Sequence, residues 1–411
     1  MARIFHGISR KYKTLGKEVK VMEYIDNKIE NGIKINWKKI RNRYKKLGVP
    51  NDYYNPCNEP IEQSHYHIIL SERSSGKTTN LLLLGMILND EYGIVIQYIR
   101  SREEMIMPKN LNNLFSVINN KEFNYVEKIT HGVYNSVVYQ ARRWYYCLRD
   151  NDGTIIEQAN NHFMMCLSFD NNDNYKSSYT EPLGDFIIVD EFIERYYYPN
   201  SFFLCMDLIK TIIRSRLSPI IFFSANTIEK NSIWFDEFTI KKEIVNMKIG
   251  DKLLHETQQG TMINIHIYSP AATNQKVKSN KTFFGFANPK LASITGGDWA
   301  MNYVQHIPNN DYEIVSRNHY IKYSTSLLRL TLVKIDNIGL GVYVTKSTTL
   351  YDDSIVYTHD DVIDYRYRYG FGHTKLDKLI WNLYKMNRFY YSTNDVGNIV
   401  ENYIKRIKTP L

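Results

Sequence analysis

The sequence predicts an α/β protein built around a central, mainly parallel sheet, and two stretches carry that expectation. Residues 65–80 read HYHIILSERSSGKTTN. A short apolar run, His67-Ile68-Ile69-Leu70, enters a small polar loop, Ser71 to Gly76, which ends in Lys77-Thr78-Thr79 and opens into Leu81-Leu82-Leu83-Leu84. Strand, loop and helix follow one another in the order a phosphate-binding loop needs. The second stretch, Asp185-Phe186-Ile187-Ile188-Val189-Asp190-Glu191, is an apolar strand ending in two carboxylates.

The first stretch reads as a nucleotide site. Backbone N–H groups of Ser71, Arg73, Ser74, Ser75 and Gly76, continuing into the helix start at Lys77, Thr78 and Thr79, would wrap an anion. Lys77 would place its ammonium on the β/γ-phosphates of ATP, and the Thr78 hydroxyl would hold Mg²⁺. The full pattern has Gly six residues before the lysine, where this chain has Ser71; Ser fits if its φ stays negative. The strand ending in Asp190 is expected beside the phosphate-loop strand, with Asp190 binding Mg²⁺ through water. Glu191 is placed to orient and deprotonate an attacking water. An acid directly after the metal-binding Asp favours an ATPase of the additional-strand (ASCE) P-loop class over a GTPase.

The 411 residues allow two domains and a small appendage. No run approaches 18 apolar residues, so no membrane span is expected, and the N-terminus lacks a signal-peptide apolar core. Four cysteines, Cys57, Cys147, Cys166 and Cys205, are too widely spaced for a disulfide framework or a zinc knuckle, which points to reduced thiols in a cytoplasmic setting. The charge is uneven. Residues 1–50 hold fourteen Lys/Arg and four Asp/Glu, a local balance of +10, so the remainder of this +9 chain sums to −1. Residues 1–52 are therefore expected to form a basic helical module. Lys17–Glu30 and Trp37–Leu47 are its helices, with Lys38, Lys39, Arg41, Arg43, Lys45 and Lys46 outward. A basic face of this kind suits phosphate backbones; a docking or solubilising appendage is the plainer alternative.

Residues 53–269 are expected to form the ATPase domain. Tyr53-Tyr54-Asn55-Pro56 is loop-like, and a Tyr there could stack on adenine. Gly93–Arg100 is a second strand. Residues 133–150 and 154–170 alternate as an inserted hairpin or meander, turning at Asp150-Asn151-Asp152-Gly153. Phe202–Arg214 is an amphipathic helix, and Ile220–Phe223 a buried strand running into Ser224-Ala225-Asn226. Asn226, at the end of the strand next to Asp190, has the place of a γ-phosphate sensor. Arg214-Ser215-Arg216 is expected at the sheet rim, where an arginine from a neighbouring subunit would neutralise phosphoryl charge. The alternative is a pair of solvated helix-end cations. Residues 270–305 read as a linker. Residues 306–411 read as a small α/β module of three strands, Tyr320–Thr325, Leu327–Ile335 and Leu340–Lys346, followed by helices Leu376–Phe389 and Val396–Ile407. Its acids Asp336, Asp352, Asp353 and Asp395 sit in expected turns, which argues against a metal nuclease.

Over residues 53–411 the sequence resembles the DNA encapsidation (genome-packaging) ATPases of small podovirus-type tailed bacteriophages. The pieces that carry the resemblance are Tyr54-Asn55-Pro56, Arg73 before Gly76-Lys77-Thr78, Tyr98-Ile99-Arg100, Lys176-Ser177, Ile188-Val189-Asp190-Glu191-Phe192-Ile193, Met206-Asp207, Arg214-Ser215-Arg216 and Ala225-Asn226, in that order. The resemblance implies a homo-oligomeric ring, of five subunits, docked on the portal (connector) of an empty capsid in the host cytoplasm and driving double-stranded DNA inward with ATP and Mg²⁺. It implies a catalytic Glu191, an Arg214 acting in trans, and an RNase H-like C-terminal domain resembling a nuclease without its active site. Some relatives assemble on a scaffold RNA. Within such a ring, loops after the second strand would meet DNA phosphates, with Arg100, Arg102 and Lys109 as candidates. The other readings are a helicase-like DNA-translocating P-loop ATPase, a packaging ATPase with an active nuclease, and a non-catalytic nucleic-acid scaffold.

Overall fold

The computed structural model describes residues 33–71, 73–111, 113–176, 179, 181, 183–193, 200–214, 216–217, 219–226, 232–268, 305–307, 312–336, 338–360, 362 and 364–407. The expected helix Lys17–Glu30, the connector Pro270–Gln275, the Gly296-Gly297 turn, Ser177 and Ser215 lie outside these residues. The protein divides into two compact units: Met1–Phe192 with Asn200–Asn226 and Met247–Thr273, and Ile193–Pro199 with Thr227–Asn246 and Asn274–Leu411.

The first unit carries a nine-stranded sheet of β1 (Tyr66–Ser71), β2 (Ile96–Arg100), β3 (Ser136–Gln140), β4 (Arg143–Arg149), β5 (Ile155–Ser168), β6 (Phe186–Asp190), β7 (Ile220–Ala225), β8 (Lys252–Glu256) and β9 (Met262–Tyr268), in the order β3-β4-β5-β2-β6-β7-β1-β9-β8. The six central strands from β5 to β9 are parallel; β3, β4 and β8 add antiparallel edges. All of β6 and β7 is buried, as a parallel strand covered on both faces requires. The 133–170 meander is present as β3–β5. One expectation is corrected: β6 does not lie beside β1, because β7 is inserted between them.

Registry brings the functional ends together. Leu70 is paired with Ala225, Asp190 with Ser224, and Ile99 with Val189, so Ser71, Asn226, Asp190 and Arg100 emerge at the same edge. Helix α2 (Lys77–Tyr92) follows β1 and is apolar all round; Leu81 to Leu84 and Met86 to Leu88 have no exposure. Gly85 lets it approach the sheet: a Cβ there would meet Ile96 side-chain atoms at 2.6 Å.

Helix α1 (Trp37–Lys46) corrects the picture of a separate basic module. Asn36 caps it, and Trp37, Ile40 and Tyr44 sit in the same core as α2. Its cations are not all outward. Arg43 Nη1 contacts Asp90 at 2.7 Å and Glu91 at 2.6 Å, Lys39 pairs with Glu91 at 2.5 Å and Arg41 with Glu62 at 2.6 Å. Helical spacing identified the apolar stripe, but Glu62 and the acids of α2 decide which cations are neutralised. Helix α3 (Ser201–Ile213) precedes β7.

In the second unit a six-stranded sheet runs β14-β13-β10-β11-β12-β15, with β10 (Tyr312–Tyr323), β11 (Ser326–Ile335), β12 (Gly339–Lys346), β13 (Ile355–Thr358), β14 (Tyr367–Tyr369) and β15 (Phe389–Tyr391). β10–β11–β12 is an antiparallel meander; β13, β14 and β15 pair in parallel. Helices α4 (Lys375–Lys385) and α5 (Asn394–Arg406) cover it, Thr374 and Asp377 forming a capping box at the start of α4. Ile233 joins this core, so residues 227–246 belong here and not with the nine-stranded sheet.

Candidate active site

The loop between β1 and α2 is built for an anion. Ser74 (φ 60°) and Gly76 (φ 79°) turn the chain left-handed, and Gly76 caps α2 without a side-chain bond. That leaves the first-turn N–H groups of Lys77, Thr78 and Thr79 to the loop's concavity, at the positive end of a 16-residue helix. A Cβ on Gly76 would meet the Tyr53 ring at 2.9 Å, so glycine is required there twice over. Ser71 answers its own substitution: it has no positive φ, is fully buried, and its hydroxyl accepts from Lys77 Nζ at 2.5 Å. Ser75 completes the cradle, 2.6 Å from Ser71 Oγ and 3.1 Å from Lys77 Nζ. Arg73 and Ser74 are exposed on the loop.

Lys77, only 3% exposed, also donates to Asn226 Oδ1 at 3.1 Å. A buried ammonium beside an open helix start fits nucleotide phosphates.

The carboxylates stand beside the loop. Thr78 Oγ1 donates to Asp190 at 3.1 and 3.2 Å, Tyr98 OH donates to it at 2.8 Å, and Ser224 Oγ donates to its other oxygen. Thr78 and Asp190 are thus adjacent, as a shared Mg²⁺ requires. Burial, helped by the Asp190 charge, pushes the Tyr98 hydroxyl well above its ordinary pKa, so it remains a donor. Glu191 has φ 50°, a left-handed conformation that costs a non-glycine residue roughly 1–2 kcal/mol. Its Oε1 accepts from Asn226 Nδ2 at 2.8 Å and its Oε2 from Arg100 Nη2 at 2.5 Å.

Arg100, one of the three candidates for a DNA contact, lies in this cluster. Its Nη1 also reaches Tyr98 OH at 3.2 Å and Asp190 at 3.5 Å. Burial works against its charge, but Tyr98, Asp190 and Glu191 together hold its pKa above the ordinary guanidinium value. The other two candidates lie apart from it. Arg102 pairs with Glu104 at 2.8 Å, and Lys109 is exposed on the turn Pro108–Leu111. A cleft of about 600 Å³ is lined by Thr78, Tyr98, Arg100 and Asp190 together with Glu104, Met105 and Asn110.

The two rim arginines are not equivalent. Arg216 is held by the carbonyls of Glu181 and Gly184 at 3.1 and 3.2 Å and by Asp185 at 3.1 Å, its side chain 9% exposed. Arg214, at the end of α3, is exposed, with one bond to the Tyr179 carbonyl at 2.6 Å. Of the adjacent pair Tyr53 and Tyr54, Tyr54 is buried and Tyr53 is 46% exposed against the loop, so Tyr53 is the one open to a base. Sequence reasoning gave no role in the site to Tyr98 or Ser224. Each is a polar residue at or next to the end of an apolar strand, a signal readable only once the strands are known to be neighbours.

No protein-family model matches the chain, and no curated protein matches it. Among solved structures, the chain is similar to the Phi-28 gp11 DNA packaging motor, with 16% identity, a TM-score of 0.49, and coverage of 88% of this chain and 100% of that one. It is similar to the bacteriophage Phi-29 viral genome packaging motor assembly at 15% identity and TM-score 0.48, covering 86% and 99%. It is also similar to the N-terminal domain of the DNA packaging ATPase from bacteriophage phi29 at 18% identity and TM-score 0.39, covering 52% of this chain and 95% of that one. The solved structures that this chain is similar to are thus those of phage DNA-packaging machinery.

Proposed function

We propose that this chain is the ATP-hydrolysing subunit of a viral motor that drives double-stranded DNA into a preformed capsid. The observation that carries the hydrolytic part is the continuous chain Lys77–Asn226–Glu191–Arg100 beside the Thr78–Asp190 pair, all at one edge of the sheet. In this reading the 71–79 loop and Lys77 bind the ATP phosphates, and Thr78 and Asp190 hold Mg²⁺. Mg²⁺, when bound, offsets charge on the phosphate oxygens. Glu191 orients a water and takes its proton; Asn226 reports the terminal phosphate to Glu191. Arg214, the exposed arginine, serves a neighbouring subunit, while Arg216 braces its own. The insertion of β7 between β1 and β6 supports the additional-strand P-loop class.

The packaging part rests on the order and spacing of motifs along the chain. We assign the protein to a homomeric ring, of five subunits, on the portal of a procapsid in the host cytoplasm, with a scaffold RNA as a further candidate partner. The ATPase part corresponds to the first compact unit, and the C-terminal domain to the second, which also takes in residues 227–246. The strand order β12-β11-β10-β13-β14, with its antiparallel first three strands, supports an RNase H-like C-terminal domain.

The test is ATP turnover by the full chain with empty proheads and double-stranded DNA. Turnover that requires both, with DNA becoming nuclease-protected, is the expected result. Turnover on single strands without proheads would favour a helicase-like translocase, and no turnover under any assembly condition a non-catalytic scaffold.

A further inference from the structure

Glu59 is a carboxylate that the hydrolytic scheme does not use, yet its side chain has no exposure. Side chains of β8 and β9 converge on it. His266 Nδ1 lies 2.7 Å from its Oε1, Asn264 Nδ2 donates to its Oε2 at 2.9 Å, and Lys252 Nζ approaches Oε1 at 3.5 Å. Asn264 and His266 are two apart on β9 and so share one face of the sheet. His67, paired in register with Asn264, lies with its Nδ1 3.3 Å from Asn264 Nδ2. Polar groups on a buried strand face cost free energy unless they are partnered, and Glu59 supplies the partner. Burial pushes the Glu59 pKa up, but His266, Lys252 and Asn264 outweigh it and hold the carboxyl below its ordinary value.

This anchor fixes the segment from Asp52 to Glu59. At the other end of the segment the Tyr268 hydroxyl donates to the Asp52 carbonyl at 3.1 Å, so both ends are tied to β9. Between them the Tyr54 ring meets Tyr268 edge-on at 5.4 Å, and Lys252 donates to the Asn58 carbonyl at 3.1 Å. The same segment also meets the phosphate loop. Tyr54 N donates to the Ser75 carbonyl at 2.9 Å, and the Tyr53 ring closes on Gly76, where a Cβ would meet it at 2.9 Å. Tyr53 is 46% exposed, so its ring is placed more by the backbone that carries it than by packing.

We infer that Glu59 is a positioning residue: by clamping segment 52–59 to β9 it holds the Tyr53 ring beside the phosphate loop, where the ring stacks on the base of a bound nucleotide. The inference rests on the ATPase reading above and adds to it the base side of the site. Glu59 touches neither the nucleotide nor the reacting atoms in this scheme; it acts through Tyr53.

The experiment is calorimetric titration of the full chain with MgATP and with magnesium tripolyphosphate, which carries phosphates and no base, alongside steady-state ATP hydrolysis. Glu59→Gln keeps the shape of the side chain and removes its charge. It should weaken MgATP by roughly fivefold or more, the scale of one base–aromatic stack. Tripolyphosphate affinity should stay within twofold, and KM for ATP should rise while kcat stays within twofold. Lys252→Met, on an exposed partner of the same carboxylate, should shift MgATP in the same direction by less, and carries the test should Glu59→Gln not fold. In a Tyr53→Ala background Glu59→Gln should not weaken MgATP further, because the two act on one contact. Equal losses for MgATP and tripolyphosphate would show that Glu59 shapes the phosphate loop instead, and overturn the inference. So would unchanged MgATP affinity in the folded variants, or losses that add to that of Tyr53→Ala. A wild-type protein that binds neither MgATP nor tripolyphosphate would overturn the ATPase reading itself; a wild type that binds both with equal affinity overturns this inference alone.

Discussion

Lys77 Nζ donates to Asn226 Oδ1 at 3.1 Å, joining the phosphate loop to the end of β7 across 149 residues of sequence. The other end of that amide donates to Glu191. Lysine can only donate and a carboxylate can only accept, so the two partners set which way the amide points. Any phosphate that draws Lys77 toward itself loosens Asn226, and through it Glu191. One side chain thus links the phosphate loop's lysine to the Glu191 carboxylate.

Lys77→Ala should lose ATP binding, whereas Glu191→Gln should keep it and lose turnover by roughly 10²–10⁴-fold, the usual contribution of a general base. Fluorescent-nucleotide titration and steady-state hydrolysis separate the two. Normal turnover by Glu191→Gln would remove Glu191 from its role.

Arg214 and Arg216 should behave oppositely. Arg214→Ala should retain its thermal midpoint and nucleotide affinity but lose hydrolysis, by about 10³-fold or more if it acts as a trans arginine. Mixing it with wild type should depress activity beyond the mutant fraction. Arg216→Ala should instead unfold more readily, by roughly 3–5 kcal/mol, because it breaks the buried Arg216–Asp185 ion pair. Equal turnover by dilute monomer and ring would show that no arginine acts across subunits.

Stability should fall on mild acidification because of His67. Burial pushes this imidazole down to about 4 from 6.5, so the folded protein keeps it neutral while the unfolded chain takes up a proton. The contribution is complete above pH 6.5 and is lost as pH falls from 6.5 to 4. It amounts to roughly 3 kcal/mol. Denaturant midpoints between pH 7 and 4 should show this slope, and His67→Gln should flatten it.

Truncation to Asp52 should destabilise the first unit, not merely trim a tail, because it removes Trp37, Ile40 and Tyr44 from the core shared with α2. Each such side chain contributes about 1.5–3 kcal/mol on burial. Truncation to Gly32 should leave the thermal midpoint unchanged and test residues 1–32 for nucleic-acid affinity by its salt slope. Equal midpoints for the two truncations would show that α1 is a true appendage.

The C-terminal domain should not cleave DNA with Mg²⁺ or Mn²⁺, because two-metal cleavage needs carboxylates converging on metals about 4 Å apart. Asp395 is paired with Lys346 at 2.5 Å, Asp353 accepts from Asn318 at 2.7 Å, and Asp336 is exposed at a strand end. Nicking lost in Asp336→Asn or Asp395→Asn would reverse this.

What the sequence by itself determined is local: the 65–80 and 185–191 stretches, the meander at 133–170, and the strand and helix order of the C-terminal half, all read from apolar periodicity and turn residues that act over a few positions. What only tertiary structure decided is who neighbours whom. That β7 separates β1 from β6 is a matter of sheet order, which no local pattern encodes. That Arg100 faces Glu191, 91 residues away, follows from β2 and β6 being paired in register. The cations of α1 looked solvated because helical spacing shows only which face is polar. Their neutralisation depends on Asp90 and Glu91, at the far end of another helix, being brought against them.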